Sequence, residues 1–339
     1  MKRVQVLLRS LFADHINSTH YWFNISRETI AVKTFHTEHG MTRLGVSVSI
    51  GVVLLLSLVV TFIWRNADPQ WVQGAFARSM QKLQLLQAMS SELLASTEAE
   101  KSAVMAETDE DSQSFAEQSI QSSRNVEEAR RALEPLLEGN HQESQRFREF
   151  TQCWYKLQEI DKEVLSLAVQ NTNLKALRLS FGPAADSIKR MEHALTHLMD
   201  VVSSSPDAVG LTRLASQAIV GTQNVYALHA PHIAESSAAR MEELEGEMQR
   251  FEAQITEALQ RLQERVEESG KPLLDAAWAS YKDFQKLTAD IVTLSRNNSN
   301  IRSFALSLGQ KRKMTAECQD MLAALRETVQ QGMAYKATR

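Results

Sequence analysis

With only 12 Gly, 6 Pro and 6% aromatic residues in 339, the chain is poor in helix breakers and in the β-branched and aromatic clusters that build strands. We therefore expect an almost wholly helical, all-α protein, which excludes a doubly wound sheet with a phosphate-binding glycine loop. A formal charge of −4 supplies no basic stripe to follow a phosphate backbone, which argues against a nucleic-acid partner.

Residues 1–43 hold six basic side chains (Lys2, Arg3, Arg9, Arg27, Lys33, Arg43) against three acidic ones (Asp14, Glu28, Glu38), a tail of net charge +3. Leu44–Trp64 follows, 21 residues without a charge between Arg43 and Arg65. That length spans the ~30 Å of hydrocarbon in a bilayer, and Trp64 suits an interface. The expectation is a transmembrane helix with the membrane as a partner. The basic tail tips the orientation toward a cytoplasmic N-terminus, in a single-pass protein of the cell inner membrane whose remainder, residues 66–339, is periplasmic.

After Asp68-Pro69 the punctuation marks six helices. The first runs from about Gln70 to Ala106. Thr108, followed by Asp109, Glu110 and Asp111, caps a second, which Gly139 stops. The third extends from His141 to about Ser203 without Gly or Pro before Phe181. Ser205-Pro206 opens a fourth that ends near Ala230-Pro231; a fifth spans His232 to Glu268, and Lys271-Pro272 opens a sixth that reaches about Ala334.

The third and sixth helices share a repeat. A shift of 127 positions lays Asp161–Gly182 on Thr288–Gly309 without a gap, matching Leu167, Asn171, Asn173, Leu179, Ser180 and Gly182 with Leu294, Asn298, Asn300, Leu306, Ser307 and Gly309. Apolar residues keep the alternating three-and-four spacing of a bundle seam on both sides, Ala184 falling on Lys311 and Met191 on Cys318. The phase slips at Asn171 and Asn298. A capped turn is one reading; the absence of Gly and Pro favours a heptad discontinuity inside a continuous helix. Gly182-Pro183 is expected to kink the third helix.

At 1.5 Å per residue the long helices reach about 93 Å, twice the short ones. The expected architecture is one transmembrane helix followed by two stacked up-and-down four-helix bundles sharing two long antiparallel helices, with both Asn motifs where the bundles meet. Two tandem four-helix bundles are the alternative.

Trp154-Tyr155 and Trp278 with Tyr281, then Val164-Leu165-Ser166-Leu167 and Ile291-Val292-Thr293-Leu294, then an Asn-rich break: this pattern resembles the four-helix-bundle sensor domains of methyl-accepting chemotaxis receptors, in their helical bimodular form. The resemblance implies signal transduction, with small organic acids as ligands and helix shifts as the signal. Such receptors continue into a second membrane span and a cytoplasmic hairpin, whereas this chain stops at Ala337-Thr338-Arg339. The expectation is therefore either the sensor half of a split or truncated receptor or a membrane-tethered sensing subunit, acting as a homodimer or through a separate signalling subunit.

Nothing points to an enzyme. The carboxylates lie in solvated runs such as Glu242-Glu243-Leu244-Glu245. His193 and His197 have metal-ligand spacing but turn away from the seam, so neither metal nor cofactor is expected. Two cysteines make no disulfide framework; Cys318 reads as a small core residue and Cys153 has no assigned role. The best ligand candidates are Asn171, Asn173, Asn298 and Asn300 at the bundle junction, with Arg178 and Arg302 as carboxylate partners. A buried Asn that merely fixes register is the competing reading. Two functions follow: a small-molecule sensor, or a structural tether or scaffold without a ligand.

Overall fold

The computed structural model describes residues 69–337. All its regular structure is helical: α1 Pro69–Met105, α2 Asp109–Leu133, α3 His141–Ala168, α4 Thr172–Leu179, α5 Ala185–Val201, α6 Ala208–Ala234, α7 Ala238–Arg265, α8 Lys271–Asn297, α9 Ser299–Leu306 and α10 Arg312–Ala337. No helix among the described residues is long and apolar enough to cross a membrane. This overturns the expected inner-membrane, single-pass localisation. The charge-free stretch Leu44–Trp64 and the tail 1–43 lie outside the described residues.

Local sequence explains most boundaries. The Thr108 hydroxyl accepts from the Asp111 N–H at 3.0 Å, and three acidic residues fill the first turn of α2. Gly139, at φ +86°, allows the left-handed turn before α3, which Asn140 caps through the N–H groups of Gln142 and Glu143. Helix α6 runs past the expected stop at Pro231 to Ala234. The ring removes a single donor close to the helix end, while His232 and Ile233 continue the buried face.

The expected continuity across the Asn motifs is not observed. Asn171 and Asn298 are left-handed, at φ 50° and 53°, so the third rod is broken between α3 and α4 and the sixth between α8 and α9. A phase slip of one residue is absorbed at one position, and Asn tolerates that conformation better than most residues with a Cβ. Nor is the feature at Gly182-Pro183 peculiar to proline. A π-helical turn spans Ser180–Ala184, and another spans Ser307–Lys311, where Gln310 replaces the proline. Both follow the shared Leu-Ser-X-Gly sequence.

Two large apolar cores result, with a smaller third cluster of α1–α3 residues that includes Ala103, Ala116, Val164 and Ala168. Leu86, Met89 and Leu93 of α1, Val126 and Leu133 of α2, Phe150, Trp154 and Leu157 of α3, and Leu322 and Leu325 of α10 form the first. The second unites Leu195 and Leu198 of α5, Leu214 and Val225 of α6, Ile255 and Leu262 of α7, and Tyr281 and Phe284 of α8. The contacts Cys153–Cys318 and Asp161–Lys311 set α3 antiparallel to α10, and Arg190–Asp283 links α5 to α8.

The duplication extends through the whole described chain. Buried Lys82, Leu86, Met89, Leu93, Ser96 and Glu100 of α1 correspond at an offset of 129 to buried Leu211, Ala215, Ala218, Thr222, Val225 and His229 of α6. Ser112, Ser119, Val126 and Leu133 of α2 match Met241, Met248, Ile255 and Leu262 of α7 at the same offset. From α3 onward the offset is 127, because the α7–α8 connection is two residues shorter than the α2–α3 connection. Each core takes three helices from one repeat and the last helix of the other.

The cysteines also depart from expectation. Cys153 of α3 and Cys318 of α10 form a disulfide across 165 residues, with Cα atoms 5.6 Å apart. Seam spacing had placed Cys318 in the core without showing that Cys153 faces it. The bond joins the two repeats inside the first core; Ser280 and Met191 hold the equivalent positions of the second. Closing so long a loop restricts the unfolded chain. C318S should therefore lower the unfolding free energy by about 2–4 kcal/mol, read by urea denaturation of the oxidised wild type against the variant.

Candidate functional site

The Asn motifs meet at the waist of the molecule in a reciprocal clasp. Thr172 N–H donates to Ser299 Oγ at 3.0 Å, and Ser299 N–H to Thr172 Oγ1 at 3.0 Å. Asn173 N–H donates to Asn300 Oδ1 at 3.1 Å, and Asn300 N–H to Asn173 Oδ1 at 3.2 Å. The amide nitrogens are engaged as well. Asn173 Nδ2 reaches Asn298 Oδ1 and Ile233 O, both at 2.8 Å, and Asn300 Nδ2 reaches Asn171 Oδ1 at 2.9 Å. Asn171 Nδ2 donates to Asp109 Oδ1 at 3.0 Å, tying the clasp to the first turn of α2, and Asn298 Nδ2 donates to Glu235 O at 3.0 Å in the α6–α7 loop.

The structure thus brings Asn171, Asn173, Asn298 and Asn300 together but leaves their amides occupied by one another and by backbone. Arg178 and Arg302 are exposed; Arg178 donates to Glu107 O at 2.5 Å. The geometry is that of two helix starts capping each other, the register role.

Polar layers lie in both cores, at equivalent positions with different chemistry. In the second, His229 Nδ1 pairs with Ser180 Oγ and Nε2 with Thr288 Oγ1, each at 3.1 Å. Burial, and secondarily His232, depresses the His229 pKa to about 4. His232 bridges Ser295 Oγ at 2.8 Å and Glu245 Oε1 at 2.9 Å, and Glu245 takes a bidentate pair from Arg296 at 2.6 and 2.7 Å. The Arg296 hydrogen bonds, above all, hold the Glu245 carboxyl below its usual range.

In the first core Glu100 stands where His229 does, Asp161 where Thr288 does and Lys311 where Ala184 does. Lys311 is buried between two carboxylates, with Nζ 2.5 Å from Asp161 Oδ1 and 2.9 Å from Glu100 Oε2. The Glu100 contact is an ion pair by distance only, since neither carboxylate oxygen accepts a hydrogen bond. Ser96, Ser119 and Ser123 continue the layer through hydroxyl contacts of 2.9–3.1 Å.

Beside this layer a groove of about 590 Å³ runs between α2 and α3. Ala116, Ile120, Leu165 and Val169 form its apolar floor, and Arg124, Glu127, Glu128, Arg131 and Lys162 its rim. Glu127 is fixed by Arg130, Arg131 and Trp154, and these partners, Arg130 foremost, lower its pKa to about 2. Arg124 and Lys162 are exposed and form no ion pair among the described residues. In the second repeat an ion pair bridges the same two helices. Glu245 and Arg296 occupy the positions of Ala116 and Val169, and Ala253 and Ala289 those of Arg124 and Lys162.

Sequence reasoning missed this groove. A signal was available in Lys311, a charge at a seam position where the other copy has Ala184. The Ala116/Glu245 correspondence was hidden by the change of offset. Comparison with known protein families, with curated proteins and with solved structures gives no match.

If the clasp is reciprocal, N173A and N300A should each cost about 1–3 kcal/mol, and the double variant should cost clearly less than their sum in urea denaturation. Strict additivity would count against mutual capping. A second expectation concerns acid. His229 is neutral in the fold at a pH where the unfolded chain, near 6.5, takes up a proton. Its contribution is therefore whole above about pH 6.5 and is lost as pH falls toward 4, roughly 3 kcal/mol in all. Stability of H229Q, measured between pH 7 and 4, should fall less steeply than that of the wild type.

Proposed function

We propose that this chain is a non-enzymatic sensory module, built as two four-helix bundles stacked on two shared rods. It takes a small organic acid in the groove between α2 and α3. The observation that carries the reading is the pairing of an apolar floor with two cations, Arg124 and Lys162, that have no acidic partner among the described residues, at a place where the Glu245–Arg296 ion pair bridges the helices of the other repeat. A volume of about 590 Å³ falls within the range of small-molecule pockets. The likeness to chemoreceptor sensor domains supports the same class of function from a separate direction.

Ligand in the groove would bias the spacing of α2 against α3, and α3 is joined to α10 by the disulfide and by Lys311. A shift of these helices is the signal, passed to a second copy or a separate signalling subunit. A structural scaffold is the second reading, favoured by the clasp, which is self-satisfied and needs no ligand.

A thermal-shift screen of organic acids against the full chain separates the two. An acid at a hundredfold excess over its Kd should stabilise by ~2.7 kcal/mol, and R124A/K162A should abolish that shift while leaving the unliganded melting point nearly unchanged. The double variant A116E/V169R, which imports the ion pair of the second repeat, should also remove binding. No hit in the screen, or a shift indifferent to both double variants, would favour the scaffold.

A further inference from the structure

We propose that His193 and His197 chelate a divalent transition-metal ion, Cu²⁺ foremost, on the outside of α5, a helix that takes no part in the groove. Residues four apart share one face of a helix. The outward turn that argued against a site in the core leaves both side chains exposed to solvent. There the two rings close on each other, with centroids 4.3 Å apart and planes tilted by 41°. Neither side chain forms a hydrogen bond or ion pair among the described residues. Their nitrogens are uncommitted, whereas both ring nitrogens of the buried His229 and His232 are taken.

The ring separation selects the ion. A metal–nitrogen bond of about 2.0 Å puts the ion roughly 3.2 Å from each ring centre, so two imidazoles at right angles have centres about 4.5 Å apart, and at the tetrahedral angle about 5.1 Å. The observed 4.3 Å fits the right-angle case. Tetragonal sites with nitrogen and oxygen ligands suit Cu²⁺ or Ni²⁺, and Cu²⁺ binds the more tightly. Among the described residues no group of three or more His, Cys, Asp and Glu side chains could hold a metal, so water fills the other positions and the ion stays exchangeable. The surroundings admit a cation. Lys189 and Arg190, one turn before His193, are paired with Asp186 and Asp283, while the exposed Asp200, one turn beyond His197, forms no ion pair among the described residues. The equivalent positions of α10 hold Asp320 and Ala324, so the pair belongs to α5 alone.

Calorimetric titration of Cu²⁺ into the full chain tests this, with the double variant H193A/H197A as reference because His15, His20, His36 and His39 can also take the ion. The wild type should bind one ion more than the reference. H193A and H197A should each weaken that ion about tenfold or more. Electron paramagnetic resonance, taken as the difference between wild type and reference, should show two equatorial nitrogens on one Cu²⁺, and only one in either single variant at saturation. Both histidines are exposed, so every variant should melt with the wild type in the absence of metal. Equal stoichiometry in wild type and reference would overturn the site. An extra ion held with undiminished affinity after loss of either histidine would overturn it too.

Discussion

The rest of the structure depends on one exchange of hydrogen bonds at the waist. A helix start leaves backbone N–H groups without partners, and two helix starts brought face to face add the repulsion of their positive ends. Here α4 and α9 begin opposite each other. Thr172 and Asn173 supply oxygen to the N–H groups of Ser299 and Asn300 and receive the same in return. Neither break caps itself, since the left-handed Asn171 and Asn298 make no side-chain cap bond to the helices they precede. Each rod can be interrupted only because the other is interrupted at the same level.

That reciprocity fixes the division of the molecule. With the interruptions opposed, the last helix of each repeat is delivered to the core of the other: the first core joins α1–α3 to α10 from the far end of the described chain, and the second is the contiguous stretch α5–α8. The Cys153–Cys318 disulfide and the Asp161–Lys311 pair reinforce this exchange in the first core only. The second relies on neutral hydrogen bonds around His229 and on the Glu245–Arg296 pair near its surface.

The repeat serves as an internal comparison. Small residues at Ala103, Ala116, Ala168 and Val169 stand where the second copy has His232, Glu245, Ser295 and Arg296, a connected polar network. Where the second copy has that network the first has the α2–α3 groove, and a lysine between Glu100 and Asp161 charges the layer behind it. Two copies of one module have thus diverged, one bridged between its helices by an ion pair and one grooved with a buried lysine behind the groove.

The sequence by itself determined the helical class, most helix ends, the duplication and the meeting of the two Asn motifs. These follow from local chemistry: breakers, caps, seam spacing and chain length act within a few residues or along one rod. Tertiary structure alone decided that the rods break at Asn171 and Asn298, because a left-handed residue is worthwhile only where a partner caps the helix that follows. It alone paired Cys153 with Cys318, since facing across 165 residues is a matter of rotation between rods. It also left the Asn motifs out of the groove's lining, because whether a polar side chain is free for a ligand depends on which neighbours have already claimed its hydrogen bonds.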